Sequence, residues 1–121
     1  MDTKKLCESD YRFMTVIWDS EPIGSTELAA LCQIKLGWKK STVYTMLKKM
    51  IGKGMVQNEN TIVTSLVSRD SVQKNESELF VDQTFAGSLP GFLAAFLGSK
   101  TITETEAEEL IRLIEEHKTD K

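Results

Sequence analysis

The sequence predicts a mainly α fold with one small β-hairpin, followed by a second half that is wholly helical. Three observations predict it. Apolar residues recur at three- and four-residue spacing over most of the chain, the period of helices packed by one face. Only residues 55–67 break that period, with short β-prone runs. The order is helices, then hairpin, then helices again, which sandwiches and barrels do not show. A chain of 121 residues and 13.6 kDa has room for one ordinary domain, or for a small domain with an oligomerisation arm.

A first helix is expected over Leu6 to Trp18. Tyr11, Met14, Ile17 and Trp18 form its stripe, which Phe13 and Val16 widen, and Ser9 or Glu8 stands near its start. Pro22 ends it, because proline disfavours helix in the residue before it and cannot donate a backbone hydrogen bond. A second helix, capped at Ser25-Thr26, is expected from Glu27 to about Ile34, burying Leu28, Leu31 and Cys32 with Ala29 in close packing. Gly37 breaks the chain. The third helix runs from about Lys40 to Ile51 on Val43, Leu47 and Met50, with Met46 in support, and Gly52-Lys53-Gly54 turns it. Met55-Val56-Gln57 and Thr61 to Val67 are the expected strands, with Asn58-Glu59-Asn60 as the turn. Three helices and a hairpin make the winged-helix order, a helix-turn-helix variant whose second helix of the unit enters the DNA major groove. Residues 1–70 are therefore expected to be a winged-helix DNA-binding domain.

The second half differs. Ser71 to Ala86 reads as a helix with Val72, Leu79, Phe80, Val81 and Phe85 as its apolar positions. Residues 87–91 interrupt, and Phe92 to Leu97 is almost wholly apolar. Thr103 to Glu106 is a capping box, hydroxyl first and carboxylate three residues on, opening a last helix on Ala107, Leu110, Ile111 and Ile114. Three short helices cannot bury those faces alone in so small a segment. Residues 71–121 are expected to be a helical dimerisation arm covered by a second copy, through Leu79, Phe80, Phe85, Phe92, Phe96, Leu97, Leu110, Ile111 and Ile114. The alternative is an arm folded back on the first domain of a monomer.

Net charge is misleading here. The whole chain stands at −3. Residues 1–70 carry ten basic and eight acidic side chains, whereas residues 71–121 carry five and ten. Between Glu27 and Glu59 there is no acid, and Lys35, Lys39, Lys40, Lys48, Lys49 and Lys53 all fall there. That window makes a local basic field whatever the total. On the polar side of the third helix, Lys40, Ser41, Tyr44, Thr45 and Lys48 can reach bases and phosphates.

Nothing in the sequence suggests catalysis. HExxH, GxxxxGKS/T and GxGxxG are absent, and the single histidine, His117, falls on a charged helix end. Cys7 and Cys32 lack metal spacing, and Cys32 lies in an apolar pattern where a buried thiol is expected. The glutamates of the last helix read as a solvated face with no histidine among them. Neither a signal peptide nor a membrane span is expected, so the expected compartment is the cytoplasm. No enzyme activity, cofactor or metal is expected.

The stretch Trp38 to Val56 resembles the recognition-helix region of the penicillinase and methicillin-resistance repressors, which group with the copper-responsive repressors. Ile17-Trp18 matches the pair that ends the family's first helix, and Ser25-Thr26-Glu27-Leu28 matches its second. Phe80 to Phe96 and Thr103 to Ile114 match its dimerisation helices in order and spacing, so the resemblance spans about residues 8–117. It implies a homodimeric winged-helix repressor of a palindromic operator, of antibiotic-resistance or stress-gene type. It also implies base reading by Ser41, Thr42, Thr45 and Lys48, with Lys49 and Lys53 on phosphates. With the neighbouring cations, the candidate DNA-binding set is Lys39, Lys40, Ser41, Thr42, Tyr44, Thr45, Lys48, Lys49 and Lys53.

Departures from the pattern qualify the resemblance. Lys39 stands where the β-lactam branch has a helix-opening serine, and the expected wing is short and slightly acidic at Glu59. That branch is released when a membrane-bound sensor protease signals and the repressor is cleaved at an Asn-Phe pair. The matching pair here is Ala95-Phe96, which does not support cleavage at that point. The copper branch's C-terminal cysteine cluster has no counterpart after Cys32. The rival reading is a winged-helix module that binds a protein partner, or an anti-repressor.

Overall fold

A computed structural model describes residues 6–119. The chain divides into two compact units, the first running to Phe80 and the second starting at Val81.

The first unit holds α1 (Glu8–Ser20), β1 (Ile23–Gly24), α2 (Ser25–Leu36), α3 (Lys40–Gly52), β2 (Val56–Glu59), β3 (Ile62–Ser65) and most of α4 (Arg69–Phe85). Its core is drawn from every element. Phe13, Met14, Val16 and Ile17 come from α1, Leu28, Ala29 and Cys32 from α2, and Val43, Leu47 and Met50 from α3. Met55, Val56 and Val63 line it from the hairpin, and Val72 from α4. Of the expected stripes in the first three helices, Tyr11, Trp18, Leu31 and Met46 are only half-buried against this core, and the rest are buried. Cys32 is fully buried, and burial pushes its thiol up to about 11.

Several ends fall elsewhere than the sequence predicts. The N-cap of α1 is Cys7, directly before Glu8, and that of α2 is Gly24, not Ser25-Thr26. Glu27 instead reaches back from the first turn of α2 to accept the Gly24 N–H at 3.2 Å. At its far end α2 closes on Gly37 at φ 72°, with Trp38 N–H donating to the Cys32 carbonyl at 3.4 Å.

The sheet has three strands in the order β1-β3-β2, all antiparallel. The two-residue β1 was not expected; its Ile23 stands opposite Val63. The hairpin turns at Asn60-Thr61, both at positive φ (52° and 65°), rather than at Asn58-Glu59-Asn60. Glu59 pairs with Ile62 and so is still strand. The Thr61 carbonyl accepts the Ser25 N–H at 2.8 Å, which ties the tip of the hairpin to the first turn of α2.

The start of α4 is fastened to α1. Trp18 Nε1–H donates to the Val67 carbonyl at 3.0 Å, the Arg69 guanidinium lies 5.5 Å from the Trp18 ring centre, and Arg69 pairs with Asp19. Gln73 donates to the Tyr11 hydroxyl at 3.0 Å.

The second unit contains the end of α4, α5 (Leu89–Leu97) and α6 (Glu104–His117). Ala86 and Gly87 close α4 at φ 52° and 81°, with Gly87 N–H donating to the Val81 carbonyl at 3.0 Å. Ser88 caps α5 by accepting the Gly91 N–H at 2.9 Å, and Pro90 sits in the first turn, so α5 begins earlier than the expected Phe92. Thr103 caps α6 by accepting from Glu106 N–H at 3.1 Å, as the capping box predicts. Phe85 and Phe92 meet edge to face at 5.6 Å, and Phe92 and Phe96 at 5.9 Å. Neither α5 nor α6 contains a buried residue.

Candidate nucleic-acid interface

The geometry of α3 follows from its sequence. Val43, Leu47 and Met50, spaced i, i+4, i+7, face the core. Ser41, Thr45 and Lys48 have the same spacing two residues out of phase, which puts them on the opposite side, and all three are exposed. Lys39, Lys40 and Thr42 are exposed at the start of the helix. Lys39 is the N-cap, and its ammonium, having only donors, caps no first-turn N–H. This first part of α3 presents hydroxyls and ammonium groups with no carboxylate between Glu27 and Glu59 in the chain.

Three members of the predicted set sit differently. Tyr44 is half-buried and packs against the core. Lys49 and Lys53 both turn to one carboxylate, Asp10. Lys49 Nζ donates to Asp10 Oδ1 at 3.0 Å, and Lys53 Nζ to Oδ2 at 3.2 Å. Asp10 is 1% exposed, and it also accepts the Cys7 N–H at 3.3 Å. Burial alone would raise its pKa. The bonds from Lys49, Lys53 and Cys7 outweigh that and hold the carboxyl below its ordinary value. The same bond raises the Lys49 ammonium above its ordinary value.

Sequence reasoning missed Asp10. A signal was there: Asp10 precedes Phe13, Met14 and Ile17 by three, four and seven residues, so it lies on the stripe that α1 buries. An acid on a buried stripe demands cationic or N–H partners.

The hairpin brings no cation to this surface. Residues 54–68 contain neither Lys nor Arg, and Asn58, Glu59, Asn60 and Thr61 are exposed around its tip. The residues expected in the dimer contact divide by exposure. Phe80, Phe96, Ile111 and Ile114 are exposed, while Leu79, Phe85, Phe92, Leu97 and Leu110 are partly covered. His117 is exposed at the end of α6. Among the described residues, no helix is long and apolar enough to cross a membrane.

Two relatives and one family model match almost the whole chain. The penicillinase repressor of Bacillus licheniformis is 24% identical over 121 residues, covering 97% of this chain and 94% of that protein. An uncharacterised 16.5 kDa protein from the ptsI 3′ region of Latilactobacillus sakei is 22% identical over 117 residues, covering 93% and 80%. The penicillinase repressor family model matches residues 6–116. From Leu6 in front of α1 to the last turn of α6, the chain belongs to the penicillinase repressor family, a family of transcriptional repressors and not of enzymes.

Proposed function

We propose that the chain is a homodimeric repressor that binds an operator of twofold symmetry, reading bases with the first part of α3. The observation that carries the reading is the exposed row Ser41, Thr45 and Lys48, flanked by Lys39, Lys40 and Thr42, on the face of α3 opposite its buried stripe. Hydroxyls pair with either kind of base edge, Lys48 suits guanine O6 or N7, and Lys39 and Lys40 suit phosphates. Twofold pairing would place two such helices one DNA turn apart, or a multiple of it. Residues 71–121 are proposed as the dimerisation arm, in support of which α5 and α6 leave Phe96, Ile111 and Ile114 uncovered. Resistance or stress genes are the proposed targets, after the relative's name.

The test is a gel shift and footprint on the DNA upstream of the protein's own gene, titrated with salt. A symmetric protected site, occupied by one dimer and weakened steeply by salt, supports the reading. A stable dimer that protects no duplex, there or in a pull-down of genomic fragments, defeats it. That outcome favours the winged helix as a protein-binding module, a reading that the cation-free hairpin also favours.

A further inference from the structure

Lys49 and Lys53 belong to the basic window, yet both are engaged inside the protein. Asp10 takes their ammonium groups at 3.0 and 3.2 Å. The lysine side chains remain 45% and 25% exposed, so each is within reach of solvent while it is held. To an ammonium group, two carboxylate oxygens offer what a DNA phosphate offers, anionic oxygens for charge-assisted hydrogen bonds. Asp10 also has the advantage of being intramolecular and fixed by the Cys7 N–H, so a phosphate must displace a partner already in place.

We propose that Asp10 is a built-in phosphate mimic that withholds Lys49 and Lys53 from the DNA backbone. This deepens the DNA-binding reading and rests on it; the ligand concerned is the phosphate backbone of duplex DNA of any sequence. Withholding them leaves attraction to Lys39, Lys40 and Lys48, beside the hydroxyls that read bases. Sequence-independent affinity is thereby kept low, and the ratio of operator to random binding is kept high. The hairpin cannot make up the difference, since residues 54–68 carry no cation.

The test is fluorescence-anisotropy titration of the full chain against a random-sequence duplex, from about 50 to 200 mM salt. Asp10→Asn is expected to bind several-fold tighter, with the log–log salt slope steeper by about 0.9 for each phosphate gained. The triple variant Asp10→Asn/Lys49→Gln/Lys53→Gln is expected to return to the wild-type slope. A purely structural role for Asp10 would weaken binding in both variants and would give no such reversal. A folded Asp10→Asn protein with an unchanged or shallower slope overturns the proposal. Should Asp10→Asn fail to fold, Lys49→Gln decides, because Lys53 still holds Asp10. A wild-type slope upholds the proposal, and one shallower by about 0.9 overturns it. Wild-type protein that binds no duplex removes the DNA reading and the proposal together. Wild-type binding with a loss of slope in Lys49→Gln removes the proposal alone.

Discussion

Phe13 and Phe96 are the same side chain in opposite circumstances. Phe13 is fully buried in the first unit and stacks on Trp38 at 6.0 Å. Phe96 is 57% exposed, with Phe92 on one side and the Lys100 ammonium 4.7 Å from its ring centre. Phe13 sits on the amphipathic α1 and Phe96 on the almost wholly apolar α5. What separates them is closure: Phe13 shares one core with residues of three helices, a hairpin and the start of α4, whereas α5 and α6 bury no residue at all. A stripe of the right period makes a helix sticky, but only enough neighbouring elements make it stable.

Truncation is the strongest way to break this contrast. Phe13→Ala should cost about 3–5 kcal/mol in urea unfolding, independent of protein concentration. Phe96→Ala removes the same atoms but should act through assembly. Sedimentation should move toward monomer, and melting should shift most at low protein concentration. A concentration-independent loss at Phe96 as large as that at Phe13 would erase the distinction.

Next in size is Asp10. Asp10→Asn should destabilise the protein by roughly 1.5–3 kcal/mol at neutral pH, the scale of hydrogen bonds to a charged group. The pH dependence has a definite sign. The folded carboxyl lies below its unfolded value, so its contribution is complete above about pH 4. It is lost as pH falls through the lower folded value, where the two proteins should converge. Unfolding curves that stay parallel down to pH 2 would show that the carboxylate contributes nothing to stability.

Two smaller effects sharpen the contrast between α3 and the hairpin. Lys48→Ala should weaken operator binding by up to about tenfold and relax the preference for guanine at the position it reads. It should leave stability within about 0.5 kcal/mol, as at other surface sites. Glu59→Gln should tighten binding by less than about threefold if the hairpin runs near phosphates, because it removes one exposed charge in high dielectric. Equal salt series for Glu59→Gln and wild type would place the hairpin away from the backbone.

The parts legible in the sequence were those set by local period and local caps. The stripe Val43, Leu47 and Met50 both defined α3 and aimed Ser41, Thr45 and Lys48 outward, without any distant contact. Thr103 capped α6 as its capping box predicts. What escaped depended on partners far along the chain. Lys49 and Lys53 lie 39 and 43 residues from Asp10, and no spacing rule links them. Likewise β1 is a strand only because β3 offers Ile62 and Val63 for it to pair with. The hairpin turn moved because strand pairing continues through Glu59, which leaves Asn60 and Thr61 to take the left-handed conformations. Asparagine tolerates that region, whereas a β-branched threonine does so only under constraint.

The constraint on Thr61 has its own consequence. Its carbonyl takes the Ser25 amide, on a helix whose N-cap, Gly24, has no side chain to offer. Lifting the hairpin tip would therefore leave the first amide of α2 without its protein acceptor, so tip motion and fraying of α2 become one opening event. In hydrogen exchange the Ser25 amide would act as a reporter planted outside the hairpin. Its protection should rise when DNA or a protein pins the tip and fall when the tip is pulled away. A single backbone proton would then record the hairpin's engagement with whatever it touches.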